Sequence, residues 1–466
     1  MSSKSAYLLV AALSVVPGEG AVAQSPATPP GTAFAPLSGA VGGGEDLKLA
    51  GSFRIRWEGL DGQVRPGLDK DDGIVALRTT LFGEYDAGLL RFGAEVYDSR
   101  VYGAGPRSMV SANDVNAIEF VQAYVAADFD APFGKGSRAT VQAGRFATNL
   151  GSRRLVAADD YRNTTNGFTG VRADLKTPGG TTGTFLYVLP QVRLPDDLPS
   201  VLDHDVEPDR ESFDLRLWGG LVSHQNLLPG ITGEVTYLRL VERDAPGRPT
   251  RDRSLHTFGA RVARDPAPNR MDIELEAIGQ TGSIATGLNA AAGRVDVRAF
   301  FYHADVGYTF SGQWKPRVSL EYDRASGHGP GATYRRFDTL YGMRRADLGP
   351  AGLYAALGRA NISTPGVRLE ATLGKRTDFF TSYRLLWAED ARDVFSTTGV
   401  RDPSGSSGRF AGHQMETRVR YWIVPKLLRG EINAVWLRKG RLLRDAPNAP
   451  DAGDTVYVSI AATATF

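Results

Sequence analysis

The chain has 466 residues, with 54 Lys+Arg against 52 Asp+Glu and a formal net charge of +2. The absence of cysteine excludes disulfide scaffolds, thiolate metal sites and cysteine nucleophiles, and the near-neutral charge speaks against a nucleic-acid binder, which concentrates basic surface. Past the first two dozen residues no apolar run approaches the roughly 18 residues that a membrane-spanning helix needs. Only 9 of the 54 basic residues are Lys. The cationic side chain here is therefore arginine, the better planar fork for carboxylates.

In chain order, Lys4 precedes a short apolar run from Tyr7 to Val16 and a small-x-small site at Ala21-Val22-Ala23. That is the pattern of a secretory signal peptide over 1–23 with a cut before Gln24. Residues 24–44, rich in Pro, Gly, Ala and Ser, are expected to be a flexible periplasmic leader. From residue 45 to 466 the pattern is period two. Ser52-Phe53-Arg54-Ile55-Arg56-Trp57-Glu58 puts Phe, Ile and Trp on one face and charge on the other. The same alternation returns around Glu274, Glu321, Arg368 and Arg418. Such strands of about ten residues suit a tilted bilayer-spanning strand.

Connections alternate in length. Short turns are expected at 86–88, 130–136, 176–181, 225–230, 265–269, 311–314, 375–378 and 425–428. Long polar loops are expected at 59–73, 100–115, 148–165, 191–210, 242–253, 280–292, 325–365, 390–408 and 440–453. Eight short turns and nine long loops give about eighteen strands with both ends on one side. The expected fold is all-β: a transmembrane antiparallel outer-membrane β-barrel in one domain, 45–466. Aromatics near strand ends (Trp57, Tyr85, Trp218, Tyr322, Trp387, Trp436) fit interfacial girdles, and the last strand closes on Phe466. A secreted sandwich or propeller is the soluble alternative, but its strands would be shorter.

A barrel of this size encloses an aqueous channel. Alternation assigns Arg54, Arg56, Glu58, Arg78, Glu84, Arg172, Asp214, Arg216, Arg261, Glu274, Arg317, Glu321, Arg368, Arg384, Glu416 and Arg418 to its lumen. These charges either neutralise each other across strands or leave some arginines at a constriction, where a ring of one sign selects solutes of the other. Arg145 falls on the lipid face by alternation, so a bulge at Gly144 is expected to turn it inward.

Gly144-Arg145, Gly151-Ser152-Arg153-Arg154-Leu155, Asn163-Thr164 and Phe168-Thr169-Gly170-Val171-Arg172 form a spaced set of motifs. Phe337-Asp338-Thr339-Leu340-Tyr341 and Gly412-His413-Gln414-Met415-Glu416 extend it toward the C-terminus. The set resembles the alginate export porin family, departing at Tyr161-Arg162, where Trp is common, and at Thr169, where Asp is usual. The resemblance implies a monomeric eighteen-stranded barrel whose arginine-rich constriction passes a polyuronate. By matching position it assigns Arg145, Arg154 and Arg172 to the substrate path, and then Arg54, Arg56, Arg78, Arg368, Arg384 and Arg418. The expected partners are an anionic polysaccharide or oligosaccharide, outer-membrane lipid and lipopolysaccharide, the barrel-assembly machinery and a periplasmic export scaffold, with no nucleic acid.

The pattern admits two other function classes. One is an uptake porin for small anions or oligouronates. The other is an outer-membrane hydrolase, for which His303 and Ser319 on adjacent strands are the only pair to consider. No cofactor is expected. The six histidines lack metal-ligand spacing, and the acidic loop containing Asp196, Asp197, Asp203 and Asp205 is the one place where oxygen ligands could hold Ca²⁺.

Overall fold

The computed structural model describes residue 44 and residues 46–466, apart from 160, 246 and 290. The expected signal peptide and nearly all of the leader lie outside the described residues. Eighteen strands follow in order: β1 (Leu47–Asp61), β2 (Asp71–Asp86), β3 (Leu90–Tyr102), β4 (Asn116–Asp130), β5 (Arg138–Phe146), β6 (Phe168–Lys176), β7 (Thr181–Pro190), β8 (Leu215–Leu228), β9 (Ile231–Glu242), β10 (Ser254–Arg264), β11 (Arg270–Ala285), β12 (Arg294–Thr309), β13 (Arg317–Ala325), β14 (Ile362–Thr372), β15 (Thr377–Trp387), β16 (Phe410–Val424), β17 (Leu428–Lys439) and β18 (Thr455–Thr465). Among the described residues, three short helices sit in long loops: α1 (Leu198–Asp203), α2 (Arg345–Leu348) and α3 (Arg441–Asp445).

Every strand pairs antiparallel with its sequence neighbour, and β1 also pairs with β18, from Ser52↔Thr465 to Asp61↔Val456. The sheet is thus a closed barrel, which removes the unpaired edges that an open sheet of this size would expose. The register follows the alternation that the sequence carries. In β1, Phe53, Ile55 and Trp57 are exposed outward while Arg54, Arg56 and Glu58 are buried inside. Outward Leu320, Val367, Ile432 and Ile460 continue the apolar face round the wall. The turns between β2 and β3, β4 and β5, and so on to β16 and β17 are the short ones, and the nine connections at the opposite end are long.

The bulge expected at Gly144 is not where the sequence put it. The β4–β5 register runs unbroken from Asp130↔Arg138 to Ala123↔Arg145. The shift lies one strand away, where Glu95 faces Gln122 and Val96 faces Phe120, so Val121 is the extra residue in β4. Gly144 has another use. Its φ is +123°, and a Cβ there would lie 2.3 Å from the Ala123 carbonyl oxygen, so only glycine lets β5 approach β4 this closely.

The interior also departs from a uniformly polar wall. Toward the long-loop end, Val188, Leu217, Leu238, Leu240, Leu255 and Phe301 point inward and are fully buried. Inward-pointing Leu217 and outward Trp218 place Arg216, two residues before Trp218, on the outward parity, which corrects its assignment to the lumen. The apolar inner surface is covered by residues 146–168 and 325–362, which contribute Leu150, Leu155, Val156, Leu353 and Tyr354 to the same buried cluster. Two loops therefore fold into the barrel and pack like a core, which a purely aqueous lumen would not require.

Candidate functional site

The β5–β6 loop, 147–167, reaches across the lumen. At one end Tyr161 and Arg162 lie against β1, β2 and β18: Arg56 Nη1 donates to the Tyr161 carbonyl at 2.6 Å, and the Tyr161 hydroxyl lies 3.2 Å from that of Tyr457. At the other end Arg154 meets β11, nearly opposite β1 in the ring, with Nη1 at 2.5 Å from Glu274 and 2.6 Å from Glu276. The β13–β14 loop, 326–361, crosses as well. Leu353 N donates to Glu58 of β1 at 2.9 Å, and Gln280 of β11 donates to the Asp338 carbonyl at 2.8 Å. The two loops are tied to each other by Asp347, which takes a two-pronged bond from Arg154 at 2.8 and 2.9 Å and a further one from Arg359.

The nine arginines expected on the substrate path separate into three settings. Arg154, Arg368, Arg384, Arg172 and Arg418 are ion-paired. Arg384 sits between Glu321 at 2.5 Å and Asp323 at 2.9 Å. Arg368 meets Glu370 at 2.8 Å, Arg172 meets Asp174 at 2.8 Å, and Arg418 lies 3.5 Å from Asp378. Arg368 and Arg418 also flank the buried Phe380 ring at 4.0 and 4.6 Å, so the ring spaces two like charges. Arg145 lies at the long-loop end of β5, paired with Glu119 at 2.5 Å and with Glu211 of the β7–β8 loop at 2.7 Å. By register it shares the outward parity of Ala123.

Arg54, Arg56 and Arg78 form the third setting. Arg54 donates to the Arg162 carbonyl at 2.6 Å and to Asn163 Oδ1 at 3.2 Å, and Arg78 reaches the same carbonyl at 3.1 Å. Arg56 adds Glu58 at 2.7 Å and the Tyr161 ring at 4.6 Å. Backbone carbonyls orient a guanidinium without cancelling its charge. The same device recurs among the loops at the long-loop end. Arg65 is held by the carbonyls of Tyr354 and Ala355, and Arg344 by Ala355 at 3.0 Å. Arg193 is held by the carbonyls of Ala112 and Thr165 and by Asn113 and Asn166. Burial, followed by the neighbouring guanidinium, pushes Arg65, Arg193 and Arg344 each down to about 10: Arg344 acts on Arg65, and Arg162 acts on the other two. Five loops thus converge on a cluster of arginines that carbonyl and amide oxygens hold in place.

Sequence reading missed Tyr161, Asp347, Glu234, Asp305 and Tyr457. Tyr161 and Asp347 come from loops whose docking no local pattern encodes, and Tyr457 is an inward aromatic of β18 that meets the Tyr161 hydroxyl only once the loop is docked. Of the acidic loop, Asp197 is the N-cap of α1, accepting from Ser200 N at 3.1 Å, and the four carboxylates do not gather. Among the described residues, the one His/Asp/Glu group close enough to share a cation is His303, Asp323 and Asp347. Arg384 and Arg154 already neutralise its two carboxylates, at 2.9 and 2.8 Å. His303 Nδ1 is spent on Asp323 at 2.7 Å rather than on Ser319, which instead neighbours Arg317.

One loop acid carries a pH dependence. Asp209 is pushed up to about 6, first by burial and then by the charge of Glu119. An aspartate raised above its ordinary value of about 4 favours the folded form while protonated, and that contribution is lost as pH rises through about 6. Asp209→Asn keeps the acceptor for Asn116 and Leu194 N. We expect backbone amide exchange in residues 191–214 to speed up between pH 4 and 7 in the parent and to lose most of that excess in the variant. An unchanged excess would place its origin elsewhere.

A closed eighteen-stranded barrel with an apolar outer belt, a charged lumen and long loops at one end defines an outer-membrane channel. The alginate export family profile matches residues 45–454, and the chain belongs to that family. It is a protein of the bacterial outer membrane. Its fold is similar to that of Pseudomonas aeruginosa OccK8 (OprE), at TM-score 0.58 and 12% identity over 91% of this chain and 98% of that one. Acinetobacter baumannii OccAB1 is similar at TM-score 0.58 and 15% identity over 91% and 97%. Pseudomonas aeruginosa OpdO is similar at TM-score 0.56 and 13% identity over 91% and 97%. No curated protein matches the chain by sequence.

Proposed function

We propose that the channel passes an anionic polysaccharide of the polyuronate class outward through the membrane. The observation that carries this reading is the run of guanidiniums oriented by carbonyl oxygens, from the loops (Arg65, Arg193, Arg344) to the wall (Arg54, Arg78). A polyuronate carries one carboxylate per sugar, and a row of moderately strong sites lets a charged chain advance from one to the next where a single tight site would trap it. Membership of the alginate export family supports the polymer as cargo. The paired arginines of β13–β16 serve a different purpose: Arg317, held by Asp272, Asp305 and Glu370, and Arg384 solvate and brace the wall.

The test is current block. In planar bilayers, oligouronates added to one side should interrupt the open-channel current in resolved events that lengthen with chain length, and neutral dextran of equal mass should not. Block by monomers alone, with no dependence on length, would favour the uptake of small anions. Hydrolysis of the oligomers by the purified protein would point to an enzyme.

A further inference from the structure

A cavity of about 380 Å³ lies inside the barrel at the long-loop end, between the wall and the β13–β14 loop. That is the small end of the roughly 300–1,000 Å³ range of ligand sites, room for a single ring. Its two sides differ in chemistry. Leu255, Ile284 and Val297 of β10–β12 form an apolar wall that Phe337 of the loop extends, and all four are buried. Across from them stand four guanidiniums. Those of Arg162 and Arg336 are neutralised by Asp159 at 3.1 Å and Asp393 at 2.7 Å, and Asp338, the acid in the lining, is held by Arg253 at 2.7 Å.

The other two keep capacity. Among the described residues Arg344 meets a backbone carbonyl and no carboxylate. Arg359 is 1% exposed and its other nitrogens are bonded to Asp347 and the Met343 carbonyl, but its Nε has no hydrogen-bond partner among the described residues. A buried donor without a partner is costly, and an anion at this place would satisfy it. A sugar ring presents hydroxyls on all sides, and an apolar wall would leave several of them unbonded. A flat apolar ring bearing one carboxylate leaves none.

We propose that this cavity binds a small arenecarboxylate, its ring against Leu255, Ile284 and Val297 and its carboxylate toward Arg344 and Arg359. The site shares Arg344 with the loop cluster of the proposed path, but its test reads binding and involves no transport, so its failure leaves the reading of the channel untouched. Benzoate, glucuronate and inorganic phosphate are each titrated calorimetrically into the protein in lipid nanodiscs. Benzoate should bind saturably, about tenfold or more tighter than the other two. Arg344→Gln should weaken it about tenfold, and Val297→Trp, which fills the cavity, should abolish it. Retention of the compact, heat-modifiable form on gels establishes that each variant has folded, and Arg344→Gln alone decides if the tryptophan variant has not. Absence of saturable benzoate binding overturns the proposal. So does equal binding of glucuronate or phosphate, which would mean a site for anions in general. So does unchanged binding in folded Val297→Trp, which would mean partition into lipid.

Discussion

Replacing Arg154 by methionine is expected to undock both inward loops and to raise the single-channel conductance severalfold. Arg154 is buried and carries the charge that holds Glu274, Glu276 and Asp347 together. Removing it leaves three carboxylates facing one another with Arg261 on Glu274 and Arg359 on Asp347 as the remaining counter-charges. Loss of one partner from a buried pair costs about 3–5 kcal/mol, chiefly because the other is left uncompensated. The cost falls on docking of the loops rather than on the barrel, whose ladder closes without them. Amide exchange in residues 147–167 should therefore rise together with the conductance, while the folded barrel band on gels stays. Unchanged exchange and conductance would show that apolar packing of Leu155, Val156 and Leu353 holds the loops unaided.

The second large effect is on selectivity. Exchanging Arg54 and Arg78 for glutamine is expected to lower the anion-to-cation permeability ratio about tenfold, which corresponds to about 1.4 kcal/mol of lost preference. Both guanidiniums converge on the Arg162 carbonyl, which orients them at the path. The same exchange at Arg384 should change the ratio little, since Glu321 and Asp323 already balance that charge. Reversal potentials of the two variants under a salt gradient separate these outcomes. An equal shift in both would mean that the lumen field is diffuse and that no arginine is special.

The wall was legible in the sequence because period two is a local property. The alternation of Phe53, Ile55 and Trp57 with Arg54, Arg56 and Glu58 fixes which face of β1 points where, and one slip of register would reverse it. The alternation of short and long connections gave the strand number for the same reason. The plug was not legible. Arg154 and Asp347 meet across 193 positions of sequence, and neither stands in a periodic element. The inward leucines and valines of β7–β10 look like any lipid-facing residue until the loop they cover is known. Arg145 shows the opposite error: its glycine neighbour suggested a bulge, whereas Gly144 is required by the approach of β4, and the extra residue is Val121.

The arginine excess acquires a division of labour. One part, on β10–β16, is spent on carboxylates and stiffens the wall. Another part, Arg54 and Arg78 of the wall and Arg65, Arg193 and Arg344 of the converging loops, is oriented by carbonyl and amide oxygens. That distinction is the central claim, and the most direct measurement of it is the zero-current potential of the unmodified protein in a planar bilayer across a potassium chloride gradient. The expected sign is that of a chloride-preferring channel, weakening as oligouronate is added. A potassium-preferring sign would contradict the account.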